Sequence, residues 1–299
     1  APLTSDSRPG IGLWIQAARP WTLGVAVSPV LLGTIIAHTE GGIRPLAAIA
    51  ALLGGMLIQI GTNLANDYFD FKKGADSHSR VGPQRVTQAG LIAPKTVRNG
   101  FILSFGMAFM FGIYLVYLGG WPIVTIGLIS LVLGIIYTGG PFPLAYHGLA
   151  ELPAFLFFGP IASATTTYVQ TGSWSSYSII AGASAGFFSV ALLSINNLRD
   201  YQEDRKVGKK TLIAIFGRGF GIFEYSFSIL IATLLPLLLA YIAAGHYLVS
   251  TVSITAFMAF HAIGITYKHK EPQELLAILK MTAKLQAIFT LVFVICWVI

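Results

Sequence analysis

Charge is scarce in this sequence: Asp, Glu, Lys and Arg make up 10% of the 299 residues. A soluble domain carries roughly 25%, so a water-soluble globular protein is excluded. Cysteine is almost absent, and the single Cys296 excludes an intrachain disulfide framework. Hydrophobic residues, in contrast, reach 55%. They form runs of the length that a transmembrane helix needs, about 20 residues. The composition predicts an integral membrane protein.

Apolar runs that can span a bilayer recur along the whole chain. They predict an all-α bundle of about nine transmembrane helices, which forms a single polytopic domain over residues 1–299. Breaks that contain glycine or proline separate neighbouring runs, as expected for the connections between spans. The predicted spans cover residues 12–37, 45–71, 97–118, 121–138, 148–169, 178–202, 219–243, 247–267 and 283–299.

The positions of the 19 Lys and Arg residues predict the orientation of these spans. With the N-terminus in the cytoplasm, Arg44 is the one cation on the outer side, in agreement with the positive-inside rule. The chain is therefore predicted to be a multi-pass protein of the cell membrane. Its net charge of +7 follows from this topology and from attraction to anionic lipid, so it does not indicate a nucleic-acid partner.

The acidic residues are concentrated in two stretches. Six of the twelve lie where predicted helices 2 and 6 meet the cytoplasmic loops 72–96 and 203–218. Residues of the first stretch recur at helical spacing and share one face: Asn63, Asn66, Asp67 and Asp70, with Asp76 beyond Gly74. The second stretch repeats the pattern with Asn196 or Asn197, Asp200, Glu203 and Asp204.

Carboxylates crowded beside a membrane repel one another, and one ionised group costs roughly 2.5–3.5 kcal/mol on insertion scales. A bridging cation removes both problems. Such oxygen ligands suit Mg²⁺, which prefers one or two carboxylates together with substrate phosphates. Neighbouring Lys and Arg residues can neutralise the remaining charge of a diphosphate. A plainer interpretation, in which the acids are helix-end charges paired with nearby cations, suits one isolated aspartate better than two matching clusters.

Two motifs carry a resemblance to a known family. Residues 66–70, Asn-Asp-Tyr-Phe-Asp, followed by Asp76, resemble the first Asp-rich motif of the UbiA superfamily of intramembrane prenyltransferases, and residues 197–204 resemble its second. Gly74 stands where a third Asp is usual, and Ala150 replaces an expected glycine. Four further stretches are similar to the bacterial 1,4-dihydroxy-2-naphthoate prenyltransferases of menaquinone synthesis: 18–22, 80–85, 137–144 and 204–212.

The resemblance implies nine helices around a central cavity that is open to lipid. A polyprenyl diphosphate would transfer its chain to 1,4-dihydroxy-2-naphthoate, with Mg²⁺ as cofactor and with loss of the carboxylate as CO₂. The expected partners are these two substrates and the lipid bilayer. The prenyl chain length and the oligomeric state stay open.

Residue roles follow from the resemblance and from the chemistry of each side chain. The expected Mg²⁺ ligands are Asp67, Asp70, Asp76, Asp200 and Asp204. The amides expected to bind or orient beside them are Asn63, Asn66 and Asn197. The cations expected on the diphosphate are Lys72, Lys73, Arg80, Arg85, Arg205 and Lys209, with Arg85 favoured. The aromatic walls expected around a cation-like prenyl carbon are Tyr68, Phe69, Tyr137 and Tyr146.

The acceptor is expected to meet Arg19 through its carboxylate and Glu151 or His147 through a hydroxyl. Plainer roles stay open for several of these residues. The aromatics can be ordinary helix packing, Arg19 can be a snorkelling anchor, and His147 can serve the loop alone.

Two other functions compete with this prediction. A different UbiA-type enzyme would use another acceptor, such as 4-hydroxybenzoate or homogentisate, and only the four further stretches argue against it. An ion-coupled secondary transporter would also carry buried acids and broken helices. Transporter sites lie near the bilayer midplane, however, whereas both acidic clusters are predicted at the same membrane surface.

Overall fold

The computed structural model describes residues 9–74, 84–269 and 271–299. Within these ranges the secondary structure is helical and contains no β-strand. Three 3₁₀ segments, Pro20–Thr22, Leu144–Tyr146 and Tyr247–Thr255, join longer helices. The α-helices of the described residues are α1 (Ile11–Ala18), α2 (Gly24–Thr39), α3 (Pro45–Lys72), α4 (Pro94–Gly119), α5 (Trp121–Ile136), α6 (Glu151–Phe157), α7 (Pro160–Thr171), α8 (Ser176–Lys206), α9 (Leu212–Phe216), α10 (Arg218–Ile242), α11 (Ala256–Lys268) and α12 (Pro272–Val298).

These helices confirm the predicted all-α membrane fold. In the described part of the chain, seven helical segments are long and apolar enough to cross a bilayer, and the bent pair α1–α2 would be an eighth. Helix α5 has 16 residues, fewer than the roughly 20 that a span needs. Each predicted span overlaps one of these segments or α5. The count of nine spans and the cytoplasmic N-terminus remain predictions.

The prediction of one continuous first helix over 12–37 is wrong, because the segments Ile11–Thr22 and Gly24–Thr39 meet at an angle of 55°. At the break Arg19 has a left-handed backbone with φ 52°, which is uncommon for a residue other than glycine. Pro20 follows, and proline disfavours the helical conformation in the residue before it. Asn63 of α3 braces the break by donating a hydrogen bond to the carbonyl of Ala18 (2.9 Å).

The last helix begins at Pro272 rather than near 283. Its start is a capping box, in which the side chains of Glu271 and Glu274 each accept a backbone N–H of the first turn. Lys280 and Lys284 flank the boundary predicted at residue 283 between a cytoplasmic loop and the last helix. In the structure they are exposed on the surface of α12, one helical turn apart, so the helix continues past both charges.

Helix α8 is the centre of the bundle and packs against α2, α7, α10 and α12. Its glycines permit close approach: a Cβ placed on Gly182 would lie 2.7 Å from the carbonyl oxygen of Gly159. Small residues at helix contacts let backbones approach closely inside membranes. Helix α8 is therefore held from several sides, and this packing positions the acidic residues of its last two turns.

Candidate active site

The two acidic clusters lie at the same end of the bundle, which we call the acidic end, and Tyr146 links them. Its hydroxyl donates a hydrogen bond to Asp70 of α3 (2.8 Å). The ammonium of Lys209 lies over the same ring, 5.7 Å from its centroid, and approaches the Asp204 carboxylate to 3.6 Å. Tyr146 therefore contacts the first cluster directly and the second through Lys209.

In the first cluster the buried carboxylates are held by the segment that follows residue 83. Asp67 is 2% exposed, and its carboxylate accepts the backbone N–H groups of Val86 (3.1 Å) and Thr87 (3.4 Å). Asp70 pairs with the guanidinium of Arg85 at 2.7 Å. The segment therefore closes over α3 by supplying hydrogen-bond donors and a positive charge to the carboxylates below it.

Thr138 is a contact of this cluster that sequence analysis did not single out. Its hydroxyl donates to the side-chain oxygen of Asn66 (2.7 Å), and its carbonyl accepts from the ammonium of Lys73 (2.6 Å). Burial lowers the pKa of Lys73, and the nearby Asp70 carboxylate offsets part of that shift. The sequence signal for Thr138 was its place within the Thr-Gly-Gly-Pro stretch at 138–141, which connects α5 to the site.

In the second cluster Asp200 pairs with Arg199, through Nε at 2.7 Å and Nη2 at 2.8 Å. Arg199, which is 6% exposed in the structure, was not predicted as a site residue. Glu203 pairs instead with Lys206 at 2.7 Å on the surface, where the side chains are 31% and 67% exposed. Asp200 and Glu203 are thus each paired with a cation of the same helix.

The donor set suits a metal that is bound together with a diphosphate. No three acidic, histidine or cysteine side chains of the described residues lie close enough to hold a metal by themselves. Mg²⁺ needs only one or two carboxylates when phosphate oxygens complete its shell, and both clusters offer buried carboxylates with a neighbouring cation. Asp76 and Arg80, which the sequence assigned to this chemistry, lie outside the described residues.

Tyr137 directly follows α5 and lines the apolar cavity described below. Its backbone carbonyl accepts a hydrogen bond from the N–H of Ala145 (2.9 Å). Tyr137 therefore joins the end of α5 to the 3₁₀ segment that carries Tyr146.

Several predicted residues have other contacts. Asn63 braces the α1–α2 break. Tyr68 packs against Phe69 and Phe101 (centroids 5.1 and 5.8 Å), which is the packing role left open above. Phe69 belongs to the same hydrophobic cluster as Tyr68 and Phe101.

Two predicted side chains near the acidic end serve the local structure, and a third is exposed. Arg205 donates to the carbonyl of Ala214 (2.6 Å) and braces α9. His147 stacks on Phe142 at 3.8 Å, in agreement with a loop role. Lys72 is exposed at the end of α3.

An apolar cavity of about 390 Å³ adjoins this site. It is lined by residues of α2 to α7 and extends along α5, from Tyr137 and Gly134 at one end to Ile123 at the other. Its size lies within the range of ligand pockets, about 300–1,000 Å³. The arrangement can hold an amphipathic molecule whose anionic head meets the cations of the clusters while its apolar tail fills the cavity.

Comparisons with known proteins agree with this geometry. The sequence profile of the UbiA prenyltransferase family matches residues 26–297. A Haemophilus influenzae protein named 1,4-dihydroxy-2-naphthoate octaprenyltransferase is 32% identical, and the match covers 94% of each chain. A Bacillus subtilis protein of the same name is 30% identical over 93% of this chain and 89% of its own. A solved UbiA homolog from Archaeoglobus fulgidus, bound to DMAPP and Mg²⁺, shares the fold with a TM-score of 0.66 at 15% identity, covering 94% of this chain and 98% of that chain.

Replacing Arg85 by Gln should destabilise the protein, because it leaves the buried Asp70 carboxylate without its guanidinium partner. Removing one member of a buried ion pair costs about 3–5 kcal/mol. The matched control is Lys206→Gln, which breaks the exposed pair with Glu203 and should cost about 1 kcal/mol or less. Thermal unfolding of the detergent-extracted variants measures the difference. Equal midpoints for the two variants would contradict the structural importance of the Arg85–Asp70 pair.

Proposed function

Because the chain belongs to the UbiA prenyltransferase family, we propose that it transfers a polyprenyl chain from its diphosphate to 1,4-dihydroxy-2-naphthoate, with loss of CO₂. The observation that carries the proposal is that the buried carboxylates Asp67, Asp70 and Asp204 lie at the same end of the bundle, next to the apolar cavity. The acceptor is taken from the names of relatives that match nine-tenths of this chain. The transporter alternative loses its basis, since the chain belongs to a family of transferases.

The diphosphate would bind at the acidic end between the two clusters. Asp67, Asp70, Asp200 and Asp204 would hold Mg²⁺ there, as would Asp76. When bound, the metal supplies Lewis-acid stabilisation of the negative charge on the leaving diphosphate. The cations that neutralise these carboxylates, Arg85 and Lys209 among them, can then bind diphosphate oxygens by charge-assisted hydrogen bonds.

The prenyl chain would occupy the cavity along α5. Its allylic end would then lie beside Tyr137, which lines the cavity. The faces of Tyr137 and Tyr146 can stabilise a carbon that gains positive charge as the diphosphate leaves. Binding the allylic carbon of the donor next to the aromatic ring of the acceptor also converts a bimolecular reaction into a step within one complex.

The acceptor would bind across Tyr137 from the diphosphate. Arg19, which lies at the break between α1 and α2, would bind the naphthoate carboxylate. Glu151 accepts a hydrogen bond from Asn197 (3.3 Å) and is placed to accept one from a ring hydroxyl. The acidic end would face the cytoplasm, since the cation-rich loops lie there.

Exchanging a cluster aspartate for asparagine should abolish transfer. Asp67→Asn and Asp200→Asn remove a negative charge but keep the size of the side chain, and activity should fall on the order of 100-fold or more, because even groups that only orient metal ligands contribute 10–100-fold. Purified protein is incubated with an isoprenyl diphosphate, naphthoate and Mg²⁺, and released pyrophosphate and CO₂ are both followed. Glu40→Gln, at the opposite end of α2, is the control. Near-normal turnover in both variants would refute the assignment.

Removal of divalent ions should stop the reaction. Excess chelator is expected to reduce pyrophosphate release to background, and added Mg²⁺ should restore it, since the leaving diphosphate then regains its counter-charge. The same preparation is assayed with 4-hydroxybenzoate and homogentisate in place of the naphthoate. Full turnover in excess chelator would contradict the proposed requirement for Mg²⁺. A higher kcat/KM for 4-hydroxybenzoate or homogentisate would show that the acceptor is not 1,4-dihydroxy-2-naphthoate.

Narrowing the cavity should discriminate against long donors. A Cβ on Gly112 of α4 would meet no atom within 4 Å, and Gly112 lines the cavity. Gly112→Leu should therefore reduce kcat/KM for octaprenyl diphosphate about tenfold more than for geranyl diphosphate, as expected for a small steric mismatch. Gly106→Leu, on the exposed face of the same helix with equal free space, should reduce neither. Equal changes of kcat/KM in Gly112→Leu and Gly106→Leu would show that the prenyl chain binds outside this cavity.

A further inference from the structure

Two ammonium groups lie beside the ring of Tyr146. The Nζ atom of Lys73 is 4.5 Å from the ring centroid, and that of Lys209 is 5.7 Å from it. Lys73 directly follows α3, which carries the first acidic cluster, and Lys209 follows α8, which carries the second. Cations are attracted to the electron-rich face of an aromatic ring. One ring therefore meets a cation from the end of each helix.

Tyr146 itself is fixed by three hydrogen bonds. Its N–H donates to the carbonyl of Pro143 (3.0 Å), and its carbonyl accepts the N–H of Lys210 (3.2 Å). Its hydroxyl donates to Asp70 (2.8 Å). Asp70 belongs to α3, and Lys210 belongs to the segment that follows α8. The position of the ring is therefore set relative to both clusters.

The backbone of each lysine is also fixed, at the end of its helix. The N–H of Lys73 donates to the carbonyl of Phe69 (3.0 Å), and the N–H of Lys209 donates to the carbonyl of Asp204 (2.8 Å). A lysine side chain is a flexible four-carbon stem, however. A fixed backbone therefore does not fix the ammonium group, and the shared ring supplies the second point of attachment that does.

Neither ammonium group has a close carboxylate partner among the described residues. Lys73 forms no ion pair there and donates instead to the carbonyl of Thr138 (2.6 Å). Lys209 approaches Asp204 at 3.6 Å, which is longer than the roughly 2.7–2.9 Å of a charge-assisted hydrogen bond. Two like charges beside one ring also repel each other. An anion with several oxygens, bound between the two lysines, would relieve this repulsion.

We propose that Tyr146 is a positioning residue, whose ring holds the ammonium groups of Lys73 and Lys209 together on one diphosphate. The inference rests on the proposed function, in which a diphosphate binds between the two clusters, and it adds the residue that places two of the cations. This role differs from a contact with the prenyl carbon, because it acts on the binding of the diphosphate and not on the later step. It involves no bond making or breaking.

The first test compares two replacements of Tyr146 in purified protein. Tyr146→Leu removes the ring and should raise the KM for geranyl diphosphate about tenfold, because both ammonium contacts are lost. Tyr146→Phe keeps the ring and should raise this KM by less than about threefold. The KM for 1,4-dihydroxy-2-naphthoate should not change in either variant. Lys280→Met is the matched control, since the Lys280 ammonium also lies 5.7 Å from a ring, that of Trp21; it should change neither KM.

Two outcomes of this comparison would overturn the inference. Equal rises of the diphosphate KM in Tyr146→Leu and Tyr146→Phe would show that the hydroxyl contact with Asp70 matters and the ring does not. A lower kcat with an unchanged diphosphate KM would assign the ring to the prenyl carbon. Should Tyr146→Leu yield no folded protein, Tyr146→pentafluorophenylalanine replaces it. That residue keeps the shape of the ring but removes its negative face, so the diphosphate KM should rise as predicted for Tyr146→Leu.

A double-mutant cycle tests whether Tyr146 acts through the two lysines. In the Lys73→Met/Lys209→Met protein, the further change Tyr146→Leu should alter the KM for geranyl diphosphate by less than about twofold, because no ammonium group remains to be positioned. A further rise of about tenfold would show that Tyr146 acts independently of the lysines. That result would overturn the inference.

A binding measurement separates the inference from the proposed function. Inorganic pyrophosphate with Mg²⁺ should raise the thermal unfolding midpoint of the wild type and of Lys280→Met. Tyr146→Leu should need about tenfold more pyrophosphate for the same rise. This measurement requires neither acceptor nor turnover. Absence of transfer to the naphthoate would therefore refute the proposed function alone, whereas an equal pyrophosphate requirement in all three proteins would overturn the inference alone.

Discussion

Buried negative charge at one end of a membrane bundle is the constraint around which this site is arranged. Asp67 and Asp70 are at most 3% exposed, and such carboxylates persist only where donors or cations compensate them. The chain supplies backbone N–H groups to Asp67 and a guanidinium to Asp70. Arg199 supplies a second guanidinium, to Asp200. In the proposed function Arg85 would also bind the incoming diphosphate, and in the structure this guanidinium is paired with Asp70.

Helix α8 connects this electrostatic arrangement to the packing of the bundle. It is contacted by helices from both halves of the chain, and glycines such as Gly182 let its neighbours approach closely. Its last turns carry Asp200 and Asp204, while Ser194 and Asn197 lie a little deeper. One helix therefore sets the level of Asp200 and Asp204 relative to Ser194 and Asn197.

Sequence reasoning recovered the charged residues better than their partners. Aspartates in a predominantly apolar sequence are conspicuous, because an ionised carboxylate within a membrane costs free energy and is therefore retained mainly for function. Thr138 and Arg199 were not singled out, since a threonine in a loop and an arginine beside an aspartate have many ordinary explanations. Asn63 shares a helical face with Asp67, yet its amide donates to Ala18 at the α1–α2 break. A shared face does not decide which neighbour a side chain contacts.

The sequence by itself determined the all-α membrane fold and the identity of the two acidic clusters, because hydropathy and helical spacing are local properties that survive without coordinates. Tertiary structure alone decided how those clusters meet. Tyr146 joins them although Asp70 and Asp204 are far apart in the chain, and Glu224 reaches Ser194 across two helices. Such contacts depend on the relative rotation and depth of packed helices, which side-chain volumes and glycine contacts set jointly and which no single segment encodes.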